Sequence, residues 1–138
     1  LEAPTSSVTL KAVQTSIQLA KNQFDFARLQ LQTTGDAAEL IIVTKDSTKH
    51  TFKLGFRTWG TGKTNLVGPY MLRAARVDLA KKAPFDYAGS YRILDDQSVE
   101  ITLRYFESPH QWTFTWKPDA IEVVNSFEPQ TKISLKKM

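Results

Sequence analysis

The sequence contains no cysteine, and this absence excludes several kinds of chemistry at once. Without a thiol, the chain can form no disulfide framework, no thiolate metal site and no cysteine nucleophile. The absence does not indicate a compartment, because secreted and cytosolic proteins alike can lack cysteine.

Histidine is scarce as well. His50 and His110 are the only two in the chain, and neither belongs to a short metal-binding motif such as His-Glu-x-x-His. We therefore expect no metal site and no cofactor. His110 follows Pro109 at the start of a predicted strand, where a structural hydrogen bond is the simplest role for its side chain.

Long apolar runs and concentrated charge are also missing. No run approaches the roughly 20 residues that a membrane-spanning helix needs, so we expect no membrane span. The net charge is +4, from 18 basic and 14 acidic residues. The excess is diffuse, whereas a nucleic-acid binder concentrates it in a stripe, so we expect no nucleic-acid partner.

The opening residues have neither an initiator methionine nor the charged and apolar regions of a signal peptide. Residues 1–15 contain proline, threonine and serine in a composition typical of interdomain segments. We therefore predict that residues 1–15 are a linker within a longer protein, and that residues 16–138 form the folded domain.

What the sequence does contain is period-two alternation of apolar and polar residues, the pattern of half-buried strands. A chain of 138 residues suits one domain and is too short for two ordinary ones. We predict an all-β fold of eight or nine antiparallel strands, closed as a barrel because closure removes exposed sheet edges. The predicted strands lie near residues 17–19, 27–33, 39–44, 49–56, 86–94, 99–105, 112–116, 121–123 and 133–135.

Residues 66–85 break this rhythm. The stretch 71–80 (Met-Leu-Arg-Ala-Ala-Arg-Val-Asp-Leu-Ala) has a composition that allows a few helical turns. This segment is predicted to be one long crossover with room for a short helix.

Residues 60–64 (Gly-Thr-Gly-Lys-Thr) end like a phosphate-binding loop. That motif requires a glycine five positions before Gly62, and the residue there is Arg57. The segment also follows a predicted antiparallel strand, whereas a phosphate-binding loop joins a buried parallel strand to a helix. We interpret residues 60–64 as a glycine-rich turn, with Trp59 packed across one mouth of the barrel.

Two groups of residues are candidates for ligand binding. Arg104 and Glu100 share one face of a predicted strand, where they would hold an anion if that face is the inner one and would be solvated if it is the outer one. Trp112, Phe114 and Trp116 alternate with polar residues. This stripe would either line a ligand cavity or form packed core, as the interiors of small barrels usually do.

Several stretches together resemble a known family. They are Lys49-His50-Thr51-Phe52-Lys53-Leu54-Gly55-Phe56 with Trp59 and Gly62, residues 99–110 ending Leu-Arg-Tyr-Phe-Glu-Ser-Pro-His, and the Trp-Lys-Pro-Asp hairpin at 116–119. They are similar to the C-terminal lipocalin-like β-barrel domain appended to bacterial serine hydrolases of the β-lactamase and penicillin-binding-protein-like family. The resemblance covers roughly residues 16–136.

The resemblance implies that catalysis belongs to a preceding domain, which carries a Ser-x-x-Lys nucleophile. Ser134-Leu135-Lys136-Lys137 matches that pattern by letter but lies in the last predicted strand, and Lys63-Thr64-Asn65 lacks the glycine of the Lys-Thr-Gly element. No catalytic residue carries over to this chain. It is expected to be a non-catalytic accessory domain, partnered by the upstream catalytic domain and periplasmic or cell-surface in location.

The alternative function is that of a free-standing lipocalin-type carrier of a small apolar ligand. In either case, the residues expected to contact a ligand are Trp59, Arg104, His110, Trp112, Phe114 and Trp116. The state of the barrel interior discriminates the two functions, because a lumen filled by side chains leaves no space for cargo.

Overall fold

The computed structural model of the chain describes residues 16–22, 24–34, 37–56, 58–66, 84–95, 98–106, 111–117, 120–126 and 133–136. These residues form ten β-strands: β1 (Ser16–Gln18), β2 (Phe26–Thr34), β3 (Ala37–Thr44), β4 (Lys49–Phe56), β5 (Gly60–Thr64), β6 (Phe85–Asp95), β7 (Ser98–Tyr105), β8 (Gln111–Trp116), β9 (Ala120–Asn125) and β10 (Ile133–Lys136).

All ten strands belong to one sheet with the order β1-β2-β3-β4-β6-β7-β8-β9-β10, while β5 pairs with β6 beside this path. The sheet is strongly curled. Phe26 of β2 approaches Trp112 of β8, with 6.3 Å between ring centroids, although several strands separate them in the sheet. The Ala20 amide donates a 2.9 Å hydrogen bond to the Lys136 carbonyl, which joins the two ends of the sheet. The predicted all-β, lipocalin-like barrel class is confirmed.

The inner face of the sheet forms the hydrophobic core. The strands turn most of their apolar residues inward, because removing apolar surface from water stabilises the folded state. On β7, the inner face carries Val99, Ile101 and Leu103, each 0% exposed. The largest fully buried side chains are Trp116, Tyr87, Tyr105, Phe26, Phe52 and Phe114.

The prediction of a glycine-rich turn at residues 60–64 is wrong, because these residues form β5. This strand pairs antiparallel with β6 from Phe85 to Gly89, and β4 pairs with the same edge of β6 only at Gly55 and Phe56, in parallel. The sheet therefore has one strand more than the predicted maximum. The missed strand lacks apolar alternation, so only its pairing with β6 reveals it.

Glycine is required where β5 and β6 approach the backbone of β4. A Cβ atom at Gly60 or at Gly89 would lie 2.7 Å from the carbonyl oxygen of Lys53, closer than non-bonded carbon and oxygen atoms approach. The glycines that resembled a phosphate-binding loop instead allow two strands to share one edge of β6.

The hydroxyl of Tyr87 completes this junction. It accepts a 2.6 Å hydrogen bond from the Lys53 amide. Because β4 and β6 pair only at Gly55 and Phe56, this amide has no backbone acceptor on β6, and the hydroxyl takes that place. The ring packs against Phe52, with 4.9 Å between centroids. Burial raises the pKa of Tyr87 above its usual value of 10.0, and the accepted hydrogen bond opposes that shift.

The predicted linker at residues 1–15 and most of the predicted crossover, residues 67–83, lie outside the described residues. At the start of the crossover, the Tyr105 hydroxyl donates a 2.7 Å hydrogen bond to the carbonyl of Leu66. In the part of the chain that is described, no helix has the length and apolar character needed to cross a membrane.

Candidate functional site

The predicted aromatic stripe lies inside the barrel. Trp112, Phe114 and Trp116 are 4%, 1% and 0% exposed. The Trp112 ring contacts Phe114, Tyr105 and Phe26 edge-on, at centroid distances of 5.9, 6.2 and 6.3 Å. Such edge-to-face contacts between aromatic rings are favourable and directional. This geometry favours the packed-core alternative for the stripe.

One polar atom inside the described part of the barrel lacks a hydrogen-bond partner. Among the described residues, the indole N–H of Trp116 is buried and finds no hydrogen-bond acceptor. A buried donor without an acceptor costs free energy. This atom is therefore the one feature of the stripe that a polar ligand atom would satisfy.

Arg104 and Glu100 lie on the outer face of β7, and they do not form an inner-face pair. Glu100 instead binds Arg92 of β6, with its Oε1 2.9 Å from Nε and its Oε2 3.3 Å from Nη2. Arg104 is half-buried and opposes Ala88 of β6 and Gln111 of β8 in the ladder. Of the two alternatives for this pair, the structure shows the outer one.

The remaining predicted binding residues are also separate. Trp59 is half-buried in the connection between β4 and β5, and His110 lies outside the described residues. The predicted residues are therefore divided between the barrel interior, the outer face of β7 and a connecting segment. They do not form one site in the part of the chain that the structure describes.

A pocket that the sequence did not predict lies on the outer wall of β1 to β4. A row of four side chains crosses the strands there, because Gln18 opposes Arg28, Arg28 opposes Val43, and Val43 opposes Lys49. The pocket has a volume of about 720 Å³. We call it the basic pocket, and its lining residues are Gln18, Leu19, Lys21, Phe26, Ala27, Arg28, Val43, Lys45, Ser47 and Lys49.

A β-bulge shapes the basic pocket. The register of β2 against β3 shifts between Phe26 and Arg28, which leaves Ala27 as the extra residue. The Ala27 carbonyl accepts a 2.9 Å hydrogen bond from the Leu19 amide, on the edge of β2 that faces β1. Bulges bend a strand and re-aim its side chains, and they are frequent at barrel rims and binding sites.

The rim of the pocket is held by two residues with left-handed backbone conformations. Asp25 has φ 57° and Ser47 has φ 67°. The Lys45 amide donates a 2.9 Å hydrogen bond to the Asp25 carbonyl, which ties the β3–β4 turn to the start of β2. Asn22 binds the same segment, since its Oδ1 accepts hydrogen bonds of 3.1 Å from the amides of Phe24 and Phe26.

Asp46 stabilises the β3–β4 turn. Its carboxylate accepts hydrogen bonds from the Thr44 hydroxyl at 2.5 Å and from the Thr48 amide at 3.0 Å. The Thr44 contact, followed by those of Thr48, lowers the pKa of Asp46 to about 2. The carboxylate is thus directed into its own turn.

Positive charge dominates the basic pocket. Four cationic side chains line it, namely Lys21, Arg28, Lys45 and Lys49, and among the described residues no aspartate or glutamate does. Lys45 forms an exposed ion pair with Asp25, at 3.5 Å. Across the described ranges, the other three cations have no ion-pair partner.

The Nε atom of Arg28 is buried and has no hydrogen-bond partner in the part of the chain that the structure describes. Arginine presents its N–H donors in a planar fork that matches carboxylate and phosphate oxygens. This atom therefore marks an unsatisfied donor for an anion at the wall of the pocket.

Comparisons with known proteins give no match: no family model, no curated protein and no solved structure matches this chain. What the chain does must therefore be inferred from its own residues and geometry.

Proposed function

We propose that this chain is a non-catalytic binding or structural domain, acting as the C-terminal accessory domain of a serine hydrolase of the β-lactamase family. The observation that speaks against a carrier is the aromatic packing of the barrel interior. Trp112 alone contacts rings from β2, β7 and β8, so the described interior serves as a core. The working surface of such a domain is its outside.

Support for the accessory role comes from three of the residues that carry the family resemblance, namely Gly55, Gly62 and Tyr105, because each of these has an architectural task. A Cβ atom at Gly55 would lie 2.4 Å from the Thr58 carbonyl oxygen, and one at Gly62 would lie 2.8 Å from the Tyr87 hydroxyl. Tyr105 ties β7 to Leu66. A shared barrel architecture would preserve this pattern of residues without any shared catalytic group. The periplasmic or cell-surface location follows from the same proposal.

The first test of the proposal measures catalysis by the chain alone. We expect the purified chain to hydrolyse neither a chromogenic β-lactam nor a p-nitrophenyl ester faster than buffer, because the resemblance places the nucleophile in another domain. Saturable hydrolysis by the chain would overturn the non-catalytic proposal.

The second test concerns the parent protein. We expect the full reading frame to encode a Ser-x-x-Lys domain before this barrel, and we expect removal of the barrel to change the stability or substrate range of that enzyme. A reading frame with no such domain would overturn the accessory role.

The carrier function remains a second candidate because of the unpartnered Trp116 indole N–H. A lumen ligand with an acceptor atom would satisfy this donor and would change the environment of the indole. Titration with a neutral apolar ester, followed by tryptophan fluorescence, tests this function. A saturable response that Trp116→Phe abolishes would favour the carrier, and an unchanged spectrum would exclude this ligand class.

A further inference from the structure

We infer that the basic pocket is a binding site for a small amphiphilic anion, namely a carboxylate or phosphate monoester attached to a short apolar body. Three observations carry this inference. Four cationic side chains and no carboxylate are found among the described lining residues, and apolar residues line the same pocket. One of the cations, Arg28, has a buried Nε donor with no acceptor among the described residues. The inference is independent of the accessory role, because it concerns only residues of this chain.

The charge of the site is uncompensated. Lys45 has Asp25 at 3.5 Å, and both side chains are about half exposed, so water screens this pair strongly. Asp46, the other nearby acid, uses its carboxylate inside the β3–β4 turn. His50 follows Lys49 on β4 but lies on the opposite, inner face, and burial lowers its pKa. An anion entering the pocket therefore meets cations from β2, from β4 and from the segments before each of these strands, with little opposing charge.

Arg28 supplies directionality. Its buried Nε carries a donor that no described residue accepts, and a buried unpaired donor destabilises the protein until an acceptor arrives. Arg28 is also the second member of the row Gln18–Arg28–Val43–Lys49, between Gln18 and Val43. An acidic oxygen placed there would accept from the guanidinium, with Lys49 further along the same row, across Val43.

The apolar part of the ligand has its own surface. The half-buried Ala27 and Val43 line the pocket, together with the core residues Leu19 and Phe26, which are each 2% exposed. The volume of about 720 Å³ falls in the range of small-molecule sites, about 300–1,000 Å³. Apolar walls with a few polar groups are also typical of such sites.

The direct test is calorimetric titration of the purified chain with octyl phosphate and with octanoate below their micelle concentrations. We expect saturable binding with a dissociation constant under about 1 mM at low salt, weakened as the salt concentration rises because ions screen exposed charges. Octyl glucoside, which has the same chain and no charge, is expected to bind at least tenfold more weakly. Equal binding of the neutral compound would overturn the inference.

Matched variants locate the binding. Lys49→Gln removes a cation of the pocket, and Lys53→Gln removes one on the same face of β4, where Lys53 is exposed and opposes Glu39 outside the pocket. We expect Lys49→Gln to weaken octyl phosphate binding several-fold and Lys53→Gln to leave it unchanged. Equal effects of the two variants would show a diffuse charge effect and overturn the site.

Arg28→Gln is expected to weaken binding by tenfold or more, since a charge-assisted hydrogen bond is among the strongest polar contacts. Arg28→Lys, which keeps the charge and loses the fork, is expected to restore part of the affinity. Circular dichroism melts check that each variant is folded. If Arg28→Gln does not fold, the comparison of Lys49→Gln with Lys53→Gln decides whether the basic pocket is the binding site.

The source of the anion is distinguished by a vesicle experiment. Vesicles of phosphatidylcholine containing one fifth phosphatidylglycerol present the acidic phosphate within a lipid surface, whereas octyl phosphate presents it free. Co-sedimentation that free octyl phosphate displaces and Lys49→Gln reduces would assign the pocket to a lipid headgroup. Calorimetric binding without co-sedimentation would assign it to a free amphiphile. Failure of both arms in the folded chain would overturn the inference.

Discussion

The inner and outer walls of this barrel are built from the same strands, but different physical requirements determine which residues each wall can accept. On β8, Trp112, Phe114 and Trp116 are buried, while the intervening Thr113 and Thr115 are half-buried. The inner wall is constrained by volume and shape, because close-packed interiors leave few voids. The outer wall is constrained mainly by charge and solvation. Stability should therefore depend on the inner wall, and ligand recognition on the outer one.

The largest expected effect comes from opening the inner wall. Trp116→Ala should lower the free energy of unfolding by about 3–5 kcal/mol, because it removes a large buried ring and leaves a cavity. Chemical denaturation measures this loss, with Thr115→Ala on the outer face of the same strand as the control, expected within about 0.5 kcal/mol of the wild type. A loss under about 1 kcal/mol for Trp116→Ala would indicate that the interior is not tightly packed there.

A smaller effect is expected at the junction of β4, β5 and β6. Tyr87→Phe keeps the ring and removes the acceptor of the Lys53 amide, so the free energy of unfolding should fall by about 1–3 kcal/mol. The folded-state pKa of Tyr87 is raised above 10.0. The neutral Tyr87 side chain therefore contributes to the stability of the folded state below pH 10.0, and this contribution is lost as the pH rises through the folded-state pKa. The variant should therefore lose less stability than the wild type in alkaline solution. Identical alkaline profiles would contradict this assignment.

A pH effect of moderate size is expected through His50, which lies on the inner face of β4 and opposes the buried Ile42. Burial lowers its pKa below 6.5, and Asp46 opposes that shift. The unfolded state therefore binds the proton more readily, and the folded protein should lose stability as the pH falls below 6.5. Thermal melts of His50→Gln should show a flatter profile over this window. A variant whose acid sensitivity equals that of the wild type would assign the effect to other groups.

The smallest effect on stability is expected from the basic pocket itself. Lys49→Gln should change the free energy of unfolding by no more than about 0.5 kcal/mol, because the side chain is exposed and has no ion-pair partner among the described residues. Lys53→Gln is the matched control in the same denaturation experiment. A much larger loss for Lys49→Gln alone would mean that the outer wall also supports the fold.

Much of the fold could be predicted from the sequence, because the period of the side chains in a strand is itself a property of the sequence. Each predicted strand is present among the described residues. β5 was missed for a physical reason. Its sequence, Gly-Thr-Gly-Lys-Thr, has no apolar face, and its extended conformation depends on pairing with β6.

The candidate sites were predicted less well. The stripe at Trp112, Phe114 and Trp116 was recognised, yet alternation alone does not distinguish a packed interior from a cavity. The basic pocket had no signal in the sequence, because Lys21, Arg28, Lys45 and Lys49 belong to different segments. Their polar positions were visible, but their proximity depends on the register between strands.

The sequence by itself determined the strand class, the division of each strand into an apolar and a polar face, and the absence of thiol chemistry, because these depend on local residue types and spacing. Tertiary structure alone decided that β4 and β5 share one edge of β6, that the aromatic stripe packs across the curled sheet, and that four dispersed cations surround one pocket. Register, curvature and the bulge at Ala27 decide these features, since each depends on contacts between residues distant in the sequence.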